Sequence, residues 1–491
     1  MTTAVPGAAK PAPGGGMTVA VLALAGIMVA LMQTLVIPLV PQLPALLHAS
    51  PSDTSWAITA TLLAGAVATP VFGRLGDMYG KRRILLICLC LLVAGSVVCA
   101  VSGSLIPMIV GRTLQGAAAG VIPLGISIMR DELPADRLGS AMGLMSSSLG
   151  VGSALGLPGA AVLAEIADWH ALFWVSAGFG AVVAVVVLIV VPESRVRTGG
   201  RFDVAGAAGL SAGLVCLLLA ISKGGDWGWT SPTTSGLFAA AAVILLVWGW
   251  WELRSPRPLV DLRISARRRV LLTNVASVML GFAMFAMSLV LPQLLALPTA
   301  TGYGLGQSLL VIGLCLAPGG LVMMAMSPLS ARLSAGWGPK VSLMAGAVVI
   351  AAGYGLGTVL MGGVWQIVVF GCVVSAGVGI TYSAMPALIM SSVPRSETGA
   401  ANGLNALMRS IGTSTSSAVV SVVLADMVVR FGAGTVTSFD GFRAALLIGG
   451  GAALVSFLIA VFIPGRRGAY GGDVPPGEAG AARKDEIKDR S

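Results

Sequence analysis

The sequence predicts an all-α polytopic membrane protein with fourteen transmembrane helices, arranged as two pseudo-symmetric six-helix halves with two further helices inserted between them. Three observations support this fold class. Of the 491 residues, 56% are hydrophobic and 10% are charged, whereas a soluble domain carries about 25% charged residues. Apolar runs of about 20 residues, the length that crosses a bilayer as a helix, occur fourteen times. Two stretches of the first half recur in the second half at nearly the same offset.

The fourteen apolar runs are continuous rather than alternating in polarity, which favours helices over a closed β-barrel. We place the spans at about 17–40, 54–75, 84–102, 105–129, 138–164, 170–191, 204–222, 234–251, 270–294, 306–328, 340–361, 364–390, 400–423 and 442–463. The chain divides into a tail over 1–16, a six-helix bundle over 17–191, two inserted helices with basic loops over 192–266, a second six-helix bundle over 267–463 and a tail over 464–491. Both tails are expected to be disordered.

Basic residues are distributed unevenly between the two sets of loops. With both termini on one side, the loops of that side hold most of the lysines and arginines, and the opposite loops hold Lys223, Arg430 and Arg443. This asymmetry predicts that both termini lie in the cytoplasm. The net charge of +10 is thereby explained by membrane topology, and no nucleic-acid partner is indicated.

Two internal echoes define the repeat. GRLGDMYGKRR at 73–83 recurs as ARLSAGWGPK at 331–340, an offset of 258, and PADRLGSAMGL from Pro134 recurs as PRSETGAANGL from Pro394, an offset of 260. The first echo lies between spans 2 and 3 and its copy between spans 10 and 11, so spans 7 and 8 are an insertion between homologous halves. Both copies lie on the same side of the membrane, which predicts a parallel repeat with substrate binding near the midplane between the halves.

Cofactor, metal and enzyme chemistry are not indicated. The cysteines all lie inside apolar runs without a Cys-x-x-Cys pair, at Cys88, Cys90, Cys99, Cys216, Cys315 and Cys372. No Gly-Lys-Ser/Thr phosphate loop is present, which excludes ATP as the energy source. No nucleophile with a base, and no cluster of histidines and acids, occurs at membrane depth. We therefore expect a transporter without a cofactor rather than an enzyme.

The stretch GRLGDMYGKRR resembles the loop 2–3 signature of the major facilitator superfamily. Its gating motif in this chain comprises Gly73, Arg74, Asp77, Gly80 and Arg82. The resemblance implies that Asp77 and Arg74 hold the two halves together in the outward-facing state. We interpret Lys81, Arg82 and Arg83 as topology signals, and the glycines as permitting a tight turn and a close approach of helices.

Polar residues within the spans form a second set of candidates. VGRTLQGAAAG in span 4 places Arg112 and Gln115 on one helical face, and NALMRSIGTS in span 13 adds Arg409 beside Asn402 and Asn405. An intramembrane arginine is a functional hypothesis because it is costly unless paired or hydrated. The family has an arginine in the matching span-4 signature, linked there to proton transfer. Arginine itself keeps its proton, so its role would be to tune a partner, bind an anion or organise water.

Span 5 resembles the signature that marks antiporters within the superfamily. In LGVGSALGLPGA the residues concerned are Gly152, Gly156, Pro158 and Gly159, with Leu157 where the family has glycine before proline. The small face they form also suits ordinary close packing of helices. WHALFWVSAG, VPES and DWGWTSP further resemble the fourteen-span drug:proton antiporter branch.

One departure from that branch leaves the proton pathway open. The branch usually carries an aspartate in span 1, where this chain has Gln33, which cannot carry a proton. Glu165, at the end of span 5, is the first candidate for proton coupling, and a solvated rim charge is the alternative. Gln33, Gln115, Asn402 and Asn405 are the candidate substrate pathway.

The expected function is export of small amphipathic compounds, drugs or secondary metabolites, in exchange for protons by alternating access. The positive intramembrane charge and the methionines Met323, Met324 and Met326 favour neutral or acidic amphipaths. An uncoupled facilitator or importer, or a lipid translocator, on the same fold stays open. We expect a monomer in a bacterial cytoplasmic membrane, with a part in antibiotic resistance.

Overall fold

The computed structural model describes residues 15–464 except 37, 38, 40, 41, 195, 257 and 433, so most of the two predicted tails lies outside the described residues. Within these residues, fourteen helices are long and apolar enough to cross a membrane. The first six are α1 (Gly15–Thr34), α2 (Trp56–Tyr79), α3 (Lys81–Ala100), α4 (Leu105–Glu132), α5 (Ala135–Ile166) and α6 (His170–Val190). The inserted pair is α7 (Val204–Trp227) and α8 (Pro232–Arg254). The last six are α9 (Arg268–Ala296), α10 (Leu309–Gly336), α11 (Pro339–Gly357), α12 (Val364–Met390), α13 (Thr398–Asp426) and α14 (Phe439–Val461). The predicted fold class is confirmed.

Equivalent helices of the two halves pack in equivalent ways. In the first half α1 packs on α5, α2 on α4, and α3 on α4 and α6; in the second half α9 packs on α13, α10 on α12, and α11 on α12 and α14. Each half has its own apolar core. The halves meet where α5 packs on α10 and α2 packs on α13, two contacts that the repeat interchanges.

The two loop echoes adopt the same turn. Gly80, with φ +116°, follows the last residue of α2, and Gly338, with φ +92°, lies two residues after the end of α10; each directly precedes the next helix. A positive φ of this kind favours glycine, because other residues have a Cβ that clashes with the backbone. This explains why glycine persists at both positions although the charges around it differ.

The inserted helices lie against the seam between the halves. α7 packs on both α2 and α13, while α8 packs chiefly on α7. At one end of α7, Lys223 is 1% exposed, pairs with Asp226 at 3.0 Å and lies 5.4 Å from the ring of Trp56 in α2. At the other end, the α8–α9 loop packs Leu259 and Val260 into an apolar cluster with residues of α2 and α13.

A short β-hairpin between α13 and α14 has no counterpart in our prediction. β1 (Val428–Phe431) and β2 (Gly434–Thr437) pair antiparallel, with Val428 opposite Thr437. Its β-branched residues suit a strand, but the segment is too short and too exposed to stand out beside the helical pattern. Three single-turn helices, Leu43–Leu46, Pro51–Thr54 and Leu262–Ser265, also lie in loops.

Candidate functional site

Asp77 joins the two halves at the end of the bundle that carries residues 73–83, which we call the motif end. Its carboxylate is fully buried and accepts hydrogen bonds from the main-chain N–H groups of Gly399, at 3.1 Å, and Ala400, at 2.8 Å. Both donors lie in the first turn of α13, where N–H groups lack intrahelical partners and the helix dipole is positive. A side chain of the first half thus caps a helix of the second.

Arg130 of α4 makes a second contact between the halves, at the end of α12. It lies in the last turn of α4 and donates to the carbonyl oxygens of Met390, at 2.6 Å, and Val393, at 2.9 Å. It also donates to the hydroxyl of Thr398 at 2.5 Å and to the carbonyl of Pro394 at 3.3 Å. α12 ends at Met390, so the guanidinium lies at the negative end of that helix. The first half therefore holds the end of α12 with a cation and the start of α13 with an anion.

Asp77 is the first of three buried charged residues in a row, followed by Lys81 and Asp131. Lys81 is fully buried, 3.8 Å from Asp77 and 2.5 Å from Asp131 in α4. The hydroxyl of Ser194 also donates to Asp131. The interpretation of Lys81 as a topology signal is therefore wrong: its charge is used inside the protein, between two carboxylates. Arg83 is exposed, as that interpretation requires.

Close backbone contact between α2 and α13 depends on glycine. A Cβ on Gly399 would lie 2.6 Å from the carbonyl oxygen of Gly73, and a Cβ on Gly403 would lie 2.8 Å from that of Thr69. Separations under 3.0 Å require the backbone to move, so only glycine permits this approach. The contact of α2 with α13 is thus built from Gly73 of the predicted motif and from Gly399 and Gly403 of the second echo.

The other motif residues have different surroundings. Arg74 is half-buried and lines a cavity of about 300 Å³ between the α8–α9 loop and α13, together with Glu397. Arg82 works within the first half: its main-chain N–H donates to Glu193 at 3.3 Å and its guanidinium to the carbonyl of Leu188 in α6. Of the predicted gating residues, Gly73 and Asp77 contact the second half directly, and Arg74 interacts electrostatically with Glu397 of the second half across this cavity.

Arg112 is the centre of a polar network inside the first half. It is 2% exposed and donates to Gln115 at 2.7 Å, to the carbonyl of Met32 in α1 at 3.2 Å and to that of Ala57 in α2 at 3.3 Å. The Gln115 amide in turn donates to Ser96 of α3 at 2.9 Å. Among the described contacts no carboxylate neutralises this arginine. Together, the Arg112 guanidinium and the Gln115 amide link α1, α2, α3 and α4.

Arg409 occupies a different environment in the second half. Its guanidinium donates to Asn405 at 2.8 Å and lies 5.1 Å from the ring of Tyr382 in α12, a cation–π arrangement. The Asn405 amide donates to Asn274, at 3.0 Å, and to Ser277, at 2.7 Å, both in α9. Arg409 is partly buried, so it is less enclosed than Arg112.

The remaining predicted pathway residues divide into exposed and engaged side chains. Gln33 is exposed on α1, next to the Met32 carbonyl that Arg112 holds. Asn402 is buried, with its amide donating to the carbonyl of Thr398 at 2.9 Å. Glu165 lies in the last turn of α5, and its side chain lies outside the described residues.

The antiporter-like helix α5 is packed on both sides. Gly152 and Gly156 face α1, where added Cβ atoms would meet Ala30 and Thr34. Pro158 faces the second half, where a Cβ on Gly313 of α10 would lie 2.8 Å from its nitrogen. Gly159 has open space around it. Gly152 and Gly156 therefore serve contact with their own half, while Pro158 lies at the seam.

At the end opposite the motif end, Asp168 and His170 form a local pair. The main-chain N–H of His170 donates to Asp168 at 2.8 Å, and its ring also contacts that carboxylate. These hydrogen bonds hold the pKa of Asp168 below its usual range. The second ring nitrogen lies 3.0 Å from the carbonyl of Ser102. The pair joins the start of α6 to the α3–α4 loop, a structural task.

Sequence reasoning missed several residues of the gate. From the sequence, Arg130 is one of the loop charges on the side of the two termini, and Asp131 has no assigned role, although both residues lie at the end of span 4. Ser194, which is buried and donates to Asp131, is likewise not indicated by the sequence. The sequence signal available was a charged residue at the end of a helix, because such a residue can pair with the unpaired backbone groups at the end of a neighbouring helix. Without the packing of α4 against α12 and α13, a sequence does not indicate which helix end that is.

Comparison with known proteins gives a consistent result. The family profile of the Major Facilitator Superfamily matches residues 22–417. The chain is 27% identical to the tetracenomycin C resistance and export protein of Streptomyces glaucescens over 419 residues, 84% of this chain and 76% of that protein. It is 24% identical to multidrug resistance protein 3 of Bacillus subtilis over 367 residues, 73% of this chain and 70% of that protein. Among solved structures, the human organic anion transporter MFSD10 aligns with a TM-score of 0.64 at 15% identity, covering 91% of this chain and 100% of that chain, a likeness of fold.

Proposed function

The chain belongs to the major facilitator superfamily, and on that premise we propose that it exports small amphipathic compounds in exchange for protons by alternating access. As a member of this family it is a membrane transporter and not an enzyme. Relatives named for multidrug resistance and for export of tetracenomycin C support an export role. The observation that carries the proposal is the closed contact between the halves at the motif end.

The motif-end contact has the properties that a reversible gate requires. Asp77 accepts hydrogen bonds from two main-chain N–H groups of α13, and Arg130 donates to main-chain carbonyls after α12 and to the hydroxyl of Thr398. Such bonds can be exchanged for water when the halves separate, because the acceptors and donors are at helix termini rather than within helices. The glycine contacts between α2 and α13 add close packing without interlocking side chains. This arrangement supports a gate that is closed in the present state.

Proton coupling requires an acidic residue in the transport pathway. Gln33 stands where the antiporter branch has a carboxylate, so the proton would use another acid. We assign Glu165 first, because it closes the antiporter-like helix α5. Arg112 would influence that pathway through its bond to the α1 backbone beside Gln33. An uncoupled facilitator is the second candidate, and Gln33 is the observation that favours it.

The substrate class follows from the charges inside the bundle. Arg112 and Arg409 are the charged side chains of the two intramembrane networks, and neither contacts a carboxylate among the described residues. A dication would be repelled there, whereas an acid or a neutral compound with hydrogen-bond acceptors would not. Tyr382 beside Arg409 adds an aromatic face for an amphipathic ring. We therefore propose neutral or acidic amphipaths as substrates.

The proposed location is the cytoplasmic membrane of a bacterium, with the motif end and both termini in the cytoplasm. The excess of lysine and arginine at that end supports this orientation. No further cofactor or protein partner is required, and a monomer suffices, because both halves of the pathway belong to one chain.

Inside-out vesicles with an acid interior test the proposal. Neutral, anionic and cationic amphipaths are added in turn while internal pH and compound accumulation are recorded. We expect neutral and anionic compounds to accumulate and to alkalinise the interior, and the Glu165→Gln variant to lose both responses. Accumulation without alkalinisation would identify a facilitator, and accumulation of cations alone would contradict the proposed substrate class.

A further inference from the structure

Two carboxylates meet at the motif end of the inserted helices, away from the gate already described. Asp203 begins α7, and its carboxylate accepts from the N–H of Gly206 at 2.8 Å, the Trp251 indole at 3.1 Å and the Ser255 hydroxyl at 3.3 Å. Glu252, in the last turn of α8, is 2% exposed. A Cβ on Gly206 would lie 2.7 Å from Oδ2 of Asp203 and 2.8 Å from Oε1 of Glu252, so the two carboxylates face the same small space.

One oxygen of this pair lacks a hydrogen-bond partner. Oε2 of Glu252 accepts from the main-chain N–H of Leu259 at 3.0 Å, whereas Oε1 has no partner among the described residues. Oε1 is the atom that shares the space beside Gly206 with Oδ2 of Asp203. A buried oxygen with no partner is costly when ionised, and two carboxylates sharing a site do not both ionise easily. A proton on Oε1 resolves both difficulties, because it removes one of the two negative charges and turns the unpartnered oxygen into a hydroxyl group.

Described basic side chains near the pair are engaged elsewhere. Arg254 stacks on Trp250 at 4.1 Å, and Arg263 donates to the carbonyl of Leu253 at 2.9 Å. On the loop side, the carboxylate of Asp261 accepts from the N–H groups that follow it. From α8 itself the indole N–H of Trp248, one turn earlier, has no partner within hydrogen-bond geometry among the described residues, but it faces the Glu252 carboxyl as a weak donor, as does the main-chain N–H of Val260. Arg257 lies outside the described residues.

The pair controls a loop that touches the gate helices. The Glu252 carboxylate accepts from the N–H of Leu259. Leu259 and Val260 are 1% and 3% exposed because they pack into an apolar cluster that also includes Leu404 of α13 and Ala66 of α2. We propose that Asp203 and Glu252 form a proton-binding carboxyl pair, and that the bound proton keeps the α8–α9 loop docked on α2 and α13. Loss of the proton places two negative charges in one buried space and releases the loop.

The direction of the pH effect follows from linkage. The docked loop binds one proton more than the released loop, so docking is favoured at low pH and is lost as the pH rises. Between the pH at which the released pair ionises and the higher pH at which the docked pair ionises, the ratio of released to docked loop increases by up to about tenfold for each pH unit, and above that range it is constant. This inference rests on the proposed gate between α2 and α13 but requires no substrate and no proton gradient.

Thiol labelling of Val260→Cys in the purified full-length protein tests the inference. Cys90, Cys216, Cys315 and Cys372, the exposed and half-buried native thiols, are replaced beforehand. The rate is divided at each pH by that of Ala266→Cys, an exposed position in the same loop, which removes the pH dependence of thiol reactivity itself. We expect the normalised rate to increase about tenfold per pH unit across part of the range from about pH 5 to about pH 9.

Three substitutions separate a proton site from a structural contact. Glu252→Gln keeps the shape and mimics the protonated form, so its normalised rate should stay low at every pH. Asp203→Asn, which retains an N-cap for α7, should also abolish the pH dependence. Asp261→Asn, a carboxylate of the same loop outside the pair, should behave as the parent protein. A flat profile in the parent, an undiminished pH response in both pair variants, or a loop released at all pH values in Glu252→Gln would overturn the proposal. Because no transport is measured, failure of proton antiport would leave this result unchanged.

Discussion

Replacement of Asp77 by asparagine should open the motif-end gate without unfolding the protein. The amide keeps one acceptor oxygen, so one of the two hydrogen bonds to α13 is lost together with the negative charge at the start of that helix. A hydrogen bond to a charged group contributes about 1.5–3 kcal/mol, and a charge at a helix end about 0.3–1 kcal/mol. The closed state should therefore lose about 2–4 kcal/mol, which is a shift of about 30-fold to about 1,000-fold in the gate equilibrium. Lys81 keeps its partner Asp131, so the fold survives.

Accessibility of a cysteine at Thr69 measures that shift. Thr69 is 3% exposed because α13 covers it at Gly403, so a thiol there reacts only when the gate opens. We expect labelling of Thr69→Cys to accelerate at least about 30-fold when Asp77→Asn is added, and transport to be severely impaired. The matched control is Arg332→Gln in the second echo, where the side chain is exposed, and it should change little. Equal effects of the two substitutions would refute the assignment of the gate to Asp77.

Other substitutions probe the surrounding network. Lys81→Met should lower the free energy of unfolding by about 3–5 kcal/mol, measured as loss of thermal stability in detergent, because it leaves two buried carboxylates without their cation; an unchanged melting temperature would contradict the buried pairing. Arg112→Lys should impair transport while preserving insertion, since a lysine cannot reach three acceptors on three helices at once; normal flux in vesicles would count against this role. Gly320→Leu should separate α5 from α10, because even a Cβ there would lie 2.6 Å from that of Ala154, and expression without transport is the expected result in a vesicle assay.

Much of the architecture is predictable because the membrane imposes it. A hydrocarbon core forces continuous apolar segments to be helical, so the fourteen spans and the inserted position of α7 and α8 follow from hydropathy and from the two echoes. The span predicted at 364–390 coincides with α12. The turn at Gly80 is also predictable, because the first echo places a glycine, Gly338, at the equivalent position of the second half.

The gate is only partly predictable, since it depends on which helix ends meet. Asp77 could be singled out from its motif, but its partners are main-chain N–H groups of Gly399 and Ala400, and such groups leave no trace in side-chain chemistry. Lys81 could not be distinguished from a topology signal, because burial by α4 and the α6–α7 loop is a tertiary property. Arg130 of the gate, and Glu252 outside it, are unpredictable for the same reason. A charge at a helix end usually faces water, whereas a neighbouring element covers each of these two side chains.

The most direct measurement of alternating access at this gate is the distance between spin labels at Tyr79 and Ser391, exposed positions of the first and second half at the motif end. We predict a single short distance in the resting protein, and a second, longer distance that is populated when transported substrate is added and dominates in Asp77→Asn. A distribution that stays single and short in the presence of substrate and in Asp77→Asn, while transport proceeds, would contradict the account.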